Sequence, residues 1–224
     1  MPPGGTNPIV PKPATSHLAD PYLIFDNGTL YCAYDDGSDN KLKLTSSTDG
    51  ITWSTPIAIL SLSYTVFMIT CPSIVKVGEI FYLYHIDAFV TGGENVINRI
   101  RRLSSSSISG PYTGGVDVYF ERINGLDWDH NSIRYYNGRY YIMAATTVRT
   151  VNTEGDYIYV GVSDDGIHFL KYDAPLITKT IAEEGALYLP SFALIGDQTY
   201  AYYSAVRGTP GGWKLIRAKI DILQ

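Results

Sequence analysis

DPYLIFDNGTLYCAY, residues 20–34, decides the fold. An Asp-Pro pair opens a run of apolar and aromatic residues. Asn27-Gly28 interrupts the run, and a second aromatic-rich run follows. Asn-Gly between two such runs predicts a two-residue hairpin, because a type I′ turn needs positive φ at both central residues. The pattern recurs as CPSIVKVGEIFYLYH from Cys71, HNSIRYYNGRYYIMA from His130 and LPSFALIGDQTYAYYSA from Leu189. The equivalent positions Pro21, Pro72, Asn131 and Pro190 lie 51, 59 and 59 residues apart.

A third run follows in each repeat: KLKLTSS, NRIRRLSSS, YIYVGVSDD and WKLIRAKID. Two of these lead into related turns, STDGITW (47–53) and SDDGIHF (163–169), and the second repeat has SISGPY (107–112) there. In such a turn the Asp side chain takes backbone N–H groups, Gly adopts the awkward φ, and the aromatic packs beneath. A fourth run, such as PIAIL or APLIT, follows in three repeats. No helical period appears, and the short β-branched and aromatic runs are punctuated by Gly, Pro, Asn and Asp. The prediction is an all-β protein, a β-propeller of four-stranded antiparallel blades. Four blades are favoured over five with one degenerate blade. The fourth repeat stops after its third strand. The Pro/Gly-rich arm 1–16 would close the ring through NPIV (7–10), and 17–224 would form one propeller domain.

Composition narrows the function classes. The chain has 224 residues, a net charge of −5 and 45% hydrophobic residues, which suits a substantial core. The acidic balance argues against nucleic acid and anionic membranes as partners. No stretch is apolar for long enough to span a bilayer, and MPPGGTNPIVPKPATS has neither the basic nor the apolar region of a signal peptide. Cys32 and Cys71 read as two free buried thiols, and no Cys/His spacing suggests a metal; no cofactor is expected. NRIRR (98–102) reads as an alternating strand whose arginines serve solubility or a subunit contact.

The stretches ADPYLIFDNGTLYCAY, CPSIVKVGEIFYLYH, STDGITW, SISGPY and LPSFALIGDQTYAYYS resemble the propellers of glycoside hydrolase family 43 and its relatives, families 32 and 62. The resemblance covers roughly residues 17–223. It implies three acids at the starts of inner strands: a base in a D-P context in the first blade, an assisting Asp in the third and a general acid Glu in the fourth. Inverting hydrolysis needs one carboxylate to activate water and one carboxylic acid for the leaving oxygen. The equivalent slots here hold Asp20, Cys71, His130 and Leu189, so only Asp20 matches. Asp129, beside His130, and Glu184, upstream of Leu189, are the candidate substitutes.

Three readings of function follow. In the first, the chain is a glycan-binding propeller without a full triad, part of a surface or phage-particle assembly, with an oligosaccharide or polysaccharide as partner. Its candidate ligand-binding residues are His17, Trp128, His130, Asn131 and Tyr188, because LDWDHNS (126–132) and EEGALYLPS (183–191) concentrate aromatic and polar groups at strand starts. In the second, it is an inverting hydrolase using Asp20, Asp129 and Glu184. A structural scaffold, assembled as a homo-oligomer or in a larger particle, is the third class. Asp20 itself has a plainer reading as a turn residue before proline.

Overall fold

Asn27-Gly28 and Asn137-Gly138 make the turns their sequence predicts, with φ of 47° and 77° in the first and 48° and 81° in the second. A computed structural model describes residues 9–11, 14, 16–61, 68–91, 95–123, 126–148, 153–179, 184–195, 197–207 and 212–221. All regular structure among them is β. The first sheet runs β1 (Leu18–Asp26), β2 (Thr29–Asp36), β3 (Lys41–Ser47) and β4 (Ile57–Ser61), paired in chain order. The second runs β5 (Met68–Val77), β6 (Ile80–Thr91), β7 (Asn95–Ser105) and β8 (Thr113–Asp117) in the same way. β9 (Tyr119–Phe120) leads into the third sheet, built on β10 (Leu126–Tyr136), β11 (Arg139–Val148) and β12 (Thr153–Ser163). Its outer strand is split. β13 (His168–Lys171) and β14 (Ile177–Thr178) each pair with β12, and β9 lies parallel to β13. The fourth sheet is β15 (Glu184–Ile195), β16 (Gln198–Arg207) and β17 (Gly212–Ile220). Apart from the parallel β9, each sheet is the antiparallel meander expected of a blade.

The chain divides into two compact units, residues 1–89 with 101–116, and residues 90–100 with 117–224. Unit 1 packs around Ala33, Leu42, Ile74 and Leu83, with Tyr22 and Tyr112 at the margins. Unit 2 packs around Met143, Ile158, Leu187 and Ala201. Alternation along the strands decides what enters each core: on β1, Asp20 and Tyr22 are buried while Pro21 and Leu23 are exposed.

The Asp turns close as the sequence predicts. Asp49 Oδ1 accepts the N–H groups of Ile51 and Thr52, both at 2.7 Å, and Gly50 donates to Ser47 Oγ at 2.8 Å. Asp165 repeats this with Ile167 and His168 at 2.7 and 2.8 Å. Phe169 fills the core below its turn, whereas Trp53 is only half-buried below the other. Both cysteines are free and buried. Of the predicted arm strand 7–10, Asn7 and Pro8 lie outside the described residues. Ile9 and Val10 form a bend, and with Leu18, Pro21 and Tyr34 they line a groove on unit 1.

Candidate functional site

The four sequence slots share a backbone feature. A register shift falls between Ala19 and Tyr22, Thr70 and Ser73, Trp128 and Asn131, and Tyr188 and Ser191. Each inner strand is therefore bulged where the repeat aligns Asp20, Cys71, His130 and Leu189. At three of these the bulge puts the slot residue in the left-handed region, with φ of 53° at Asp20, 55° at Cys71 and 48° at Leu189. That conformation suits Asp but is unusual for Cys and Leu. Bulges re-aim side chains and gather near functional sites.

In unit 1, Asp20 is 3% exposed and is not a solvated turn residue. Its Oδ2 accepts the N–H of Cys71 at 3.1 Å and the thiol of Cys71 at 3.2 Å, and also the Thr70 hydroxyl. Thr70 Oγ1 lies 2.8 Å from Asp35 Oδ2 as well. A hydroxyl has one proton and cannot donate to both carboxylates. Thr70 Oγ1 therefore stands between the two carboxyls and donates to one of them at a time. His17, predicted to bind ligand, sits on the rim with Nε2 3.7 Å from Asp35 Oδ1 and a side chain 60% exposed. Its ring covers Gly37, where an added Cβ would lie 2.5 Å from His17 Cε1. Neither Thr70 nor Asp35 is singled out by the sequence; Asp35 sits in a plain strand end, and only the fold brings it to Asp20.

In unit 2, the LDWDHNS stretch divides into anchors and site residues. Asp127 is buried and spent on structure. It accepts the N–H groups of Asn98 at 3.1 Å and Trp128 at 2.9 Å, and it pairs with Arg122 Nε at 3.0 Å. Trp128, expected to meet a ligand, is 3% exposed. Its ring stacks on Phe120 at 4.4 Å and meets the edge of Tyr159, and its indole N–H donates to the Phe120 carbonyl at 3.0 Å. No face is left for a sugar, so Trp128 is a core residue. Its neighbours differ. His130 Nδ1 lies 2.9 Å from Asp129 Oδ2, a close contact that lacks the alignment of a hydrogen bond. Asn131 is 5% exposed, and neither its Nδ2 nor its Oδ1 has a partner among the described residues. A buried amide left in that state costs about 1–3 kcal/mol, and such groups call for an explanation.

The rings continue outward. His130 lies 3.9 Å from Tyr188, centroid to centroid, and Tyr188 lies 5.2 Å from Trp213. Trp213, on β17, is 51% exposed. The result is a stepped aromatic series from a buried imidazole to an open indole. Trp213 opens the WKLIRAKID run and carries no motif, so only the pairing of β16 with β17 reveals it. Glu184 opens β15 opposite Arg207, and its side chain lies outside the described residues.

No protein-family profile matches the sequence, and no curated protein matches it. Solved structures do. An exo-1,5-α-L-arabinanase from a bovine ruminal metagenomic library superposes with a TM-score of 0.66 at 15% identity, over 96% of this chain and 74% of the other. The Cellvibrio cellulosa α-L-arabinanase complexed with arabinohexaose gives 0.68 at 14% identity, over 91% and 73%. A Bombyx mori family 32 β-fructofuranosidase gives 0.68 at 12% identity, over 90% and 46%. The fold is that of the glycoside hydrolase propellers. In this chain it has four blades, one for each sequence repeat. The chain spans about three quarters of the length of the arabinanases and under half of the fructofuranosidase. Identities this low establish the fold and leave chemistry to be argued from the site.

Proposed function

We propose that the protein is a glycan-binding propeller that works without a complete hydrolytic triad. The observation that carries this reading is the aromatic step His130–Tyr188–Trp213, ending in a half-exposed indole. Aromatic faces take the C–H surface of sugar rings, and the polar edges of the same residues hold hydroxyls. Asn131, with amide atoms that lack partners among the described residues, supplies a donor and an acceptor for such hydroxyls. The fourth slot supports binding over cleavage, because Leu189 there offers no proton to a leaving group. The hydrolytic alternative keeps Asp20 as base with Asp129 and Glu184 as partners. It draws on the arabinanase and fructofuranosidase activities of the structures that share the fold.

One experiment separates the two. The protein is offered arabinan, xylan, fructan and bacterial wall glycans, and both binding and reducing-end release are measured, with Asp20→Asn and Trp213→Ala in parallel. Binding without release, weakened by Trp213→Ala, is the expected result. Release that Asp20→Asn abolishes would replace the proposal with the hydrolase. Neither binding nor release would leave the scaffold class.

A further inference from the structure

His85 is a buried histidine that the reading above does not use. It lies on β6, 4% exposed, with Asp87 two residues on, 5% exposed and on the same face of the strand. His85 Nε2 is 2.9 Å from Asp87 Oδ1. Arg101, on β7, approaches the other oxygen of the same carboxylate, with Nη1 3.7 Å from Asp87 Oδ2. These three groups and Leu60, Ile69 and Leu103 line a cavity of about 190 Å³ within unit 1. His85 Nδ1 is buried and has no partner among the described residues.

We propose that this cavity is a second ligand site, distinct from the Trp213 step, and that it takes a single neutral sugar ring. Asp87 engages the ring at Nε2, which leaves Nδ1 without a partner among the described residues. A ligand hydroxyl satisfies it. Arg101 offers guanidinium donors to a neighbouring ligand oxygen. Charge selects against an anion. Asp87 already balances Arg101, so a carboxylate or phosphate would bring uncompensated charge beside Asp87, whereas a neutral diol leaves the balance intact. Leu60, Ile69 and Leu103 give the apolar wall that a sugar's C–H face needs. The volume is below the roughly 300–1,000 Å³ of pockets for drug-sized ligands, which fits one ring and not a chain.

The test is titration of the whole protein with L-arabinose, D-xylose and D-fructose, followed through the imidazole nitrogens by NMR. The chain has four histidines, and His85→Gln identifies the relevant signal. The expected result is a saturable shift of the His85 Nδ1 resonance with at least one of the sugars. Calorimetry with that sugar should lose at least about tenfold in affinity in His85→Gln, equivalent to about 1.4 kcal/mol, and should be unchanged in Trp213→Ala. No movement of any imidazole signal at any sugar concentration overturns the proposal, and this readout needs no variant to fold. Equal affinity in a folded His85→Gln also overturns it, as does a shift produced by glucuronate or inorganic phosphate but by none of the neutral sugars. Loss of binding in Trp213→Ala and not in His85→Gln would place the sugar on the aromatic step and likewise overturn the proposal.

Discussion

Thr70→Val is the sharpest probe of the Asp20 cluster. Valine keeps the shape of threonine and removes only the hydroxyl, so no cavity opens. Two buried carboxyl groups each lose one partner, since Thr70 Oγ1 contacts both Asp20 Oδ2 and Asp35 Oδ2. Hydrogen bonds to charged groups contribute about 1.5–3 kcal/mol each. The one hydroxyl proton serves one carboxyl at a time, so the expected loss is about 1.5–3 kcal/mol. For a chain of this length, each kcal/mol lowers the melting temperature by about 2–4 °C, so the fall should be about 3–12 °C. Urea unfolding followed by tryptophan fluorescence gives the free energy, and differential scanning calorimetry gives the temperature. Asp35→Asn is the control, because its amide oxygen still accepts from the Thr70 hydroxyl, so it should cost clearly less than Thr70→Val. A Thr70→Val protein within about 0.5 kcal/mol of the parent, the range of featureless surface changes, would refute the shared hydroxyl.

Trp213→Ala should weaken glycan binding by about 0.5–1.5 kcal/mol, the typical worth of an aromatic contact beyond its buried area, measured by calorimetry or affinity electrophoresis. Asp49→Asn tests the first Asp turn through pH. Hydrogen bonds from the N–H groups of Thr52 and Ile51 and from Ser47 hold the Asp49 carboxyl down to about 2, from 3.8. A depressed pKa stabilises the fold above the unfolded value and loses that contribution as pH falls. The melting-temperature gap between parent and Asp49→Asn should thus be constant well above 3.8 and narrow as pH falls toward 2; a gap independent of pH would contradict the turn geometry. Gly155→Ala should destabilise unit 2 by about 1–3 kcal/mol, in the range of overpacked sites, because the new Cβ would meet the Thr146 carbonyl oxygen at 2.5 Å; chemical denaturation reads the loss.

The hairpins and the blade count were legible because they rest on local chemistry. Asn27-Gly28 and Asn137-Gly138 need positive φ whatever surrounds them, and the spacing of Pro21, Pro72, Asn131 and Pro190 repeats the same unit. The split outer strand of the third sheet was not legible. APLIT reads as one run, but only Ile177 and Thr178 pair with β12 as a strand, and His168–Lys171 supplies the other half. The site was readable in part. The slots point to Asp20 and His130 because they recur in sequence. The partners Thr70, Asp35 and Trp213 come from other strands, and nothing local marks them. Trp128 misleads for the same reason: its crowding with polar residues is visible in sequence, while Phe120 and Tyr159, which cover it, are not.

The bulge at the head of each inner strand has a consequence for how such a protein can change. Strand pairing resumes past every slot regardless of what occupies it, so acid, thiol, imidazole and isobutyl side chains stand on one scaffold. The position is a socket whose backbone is fixed by the residues around it, but three of its occupants, Asp20, Cys71 and His130, are buried, and Asp20 is held by Thr70 and Cys71. A single substitution at 20, 71, 130 or 189 should therefore keep the strand pairing and cost stability in proportion to the contacts its occupant loses, so new chemistry on this frame is installed together with new partners.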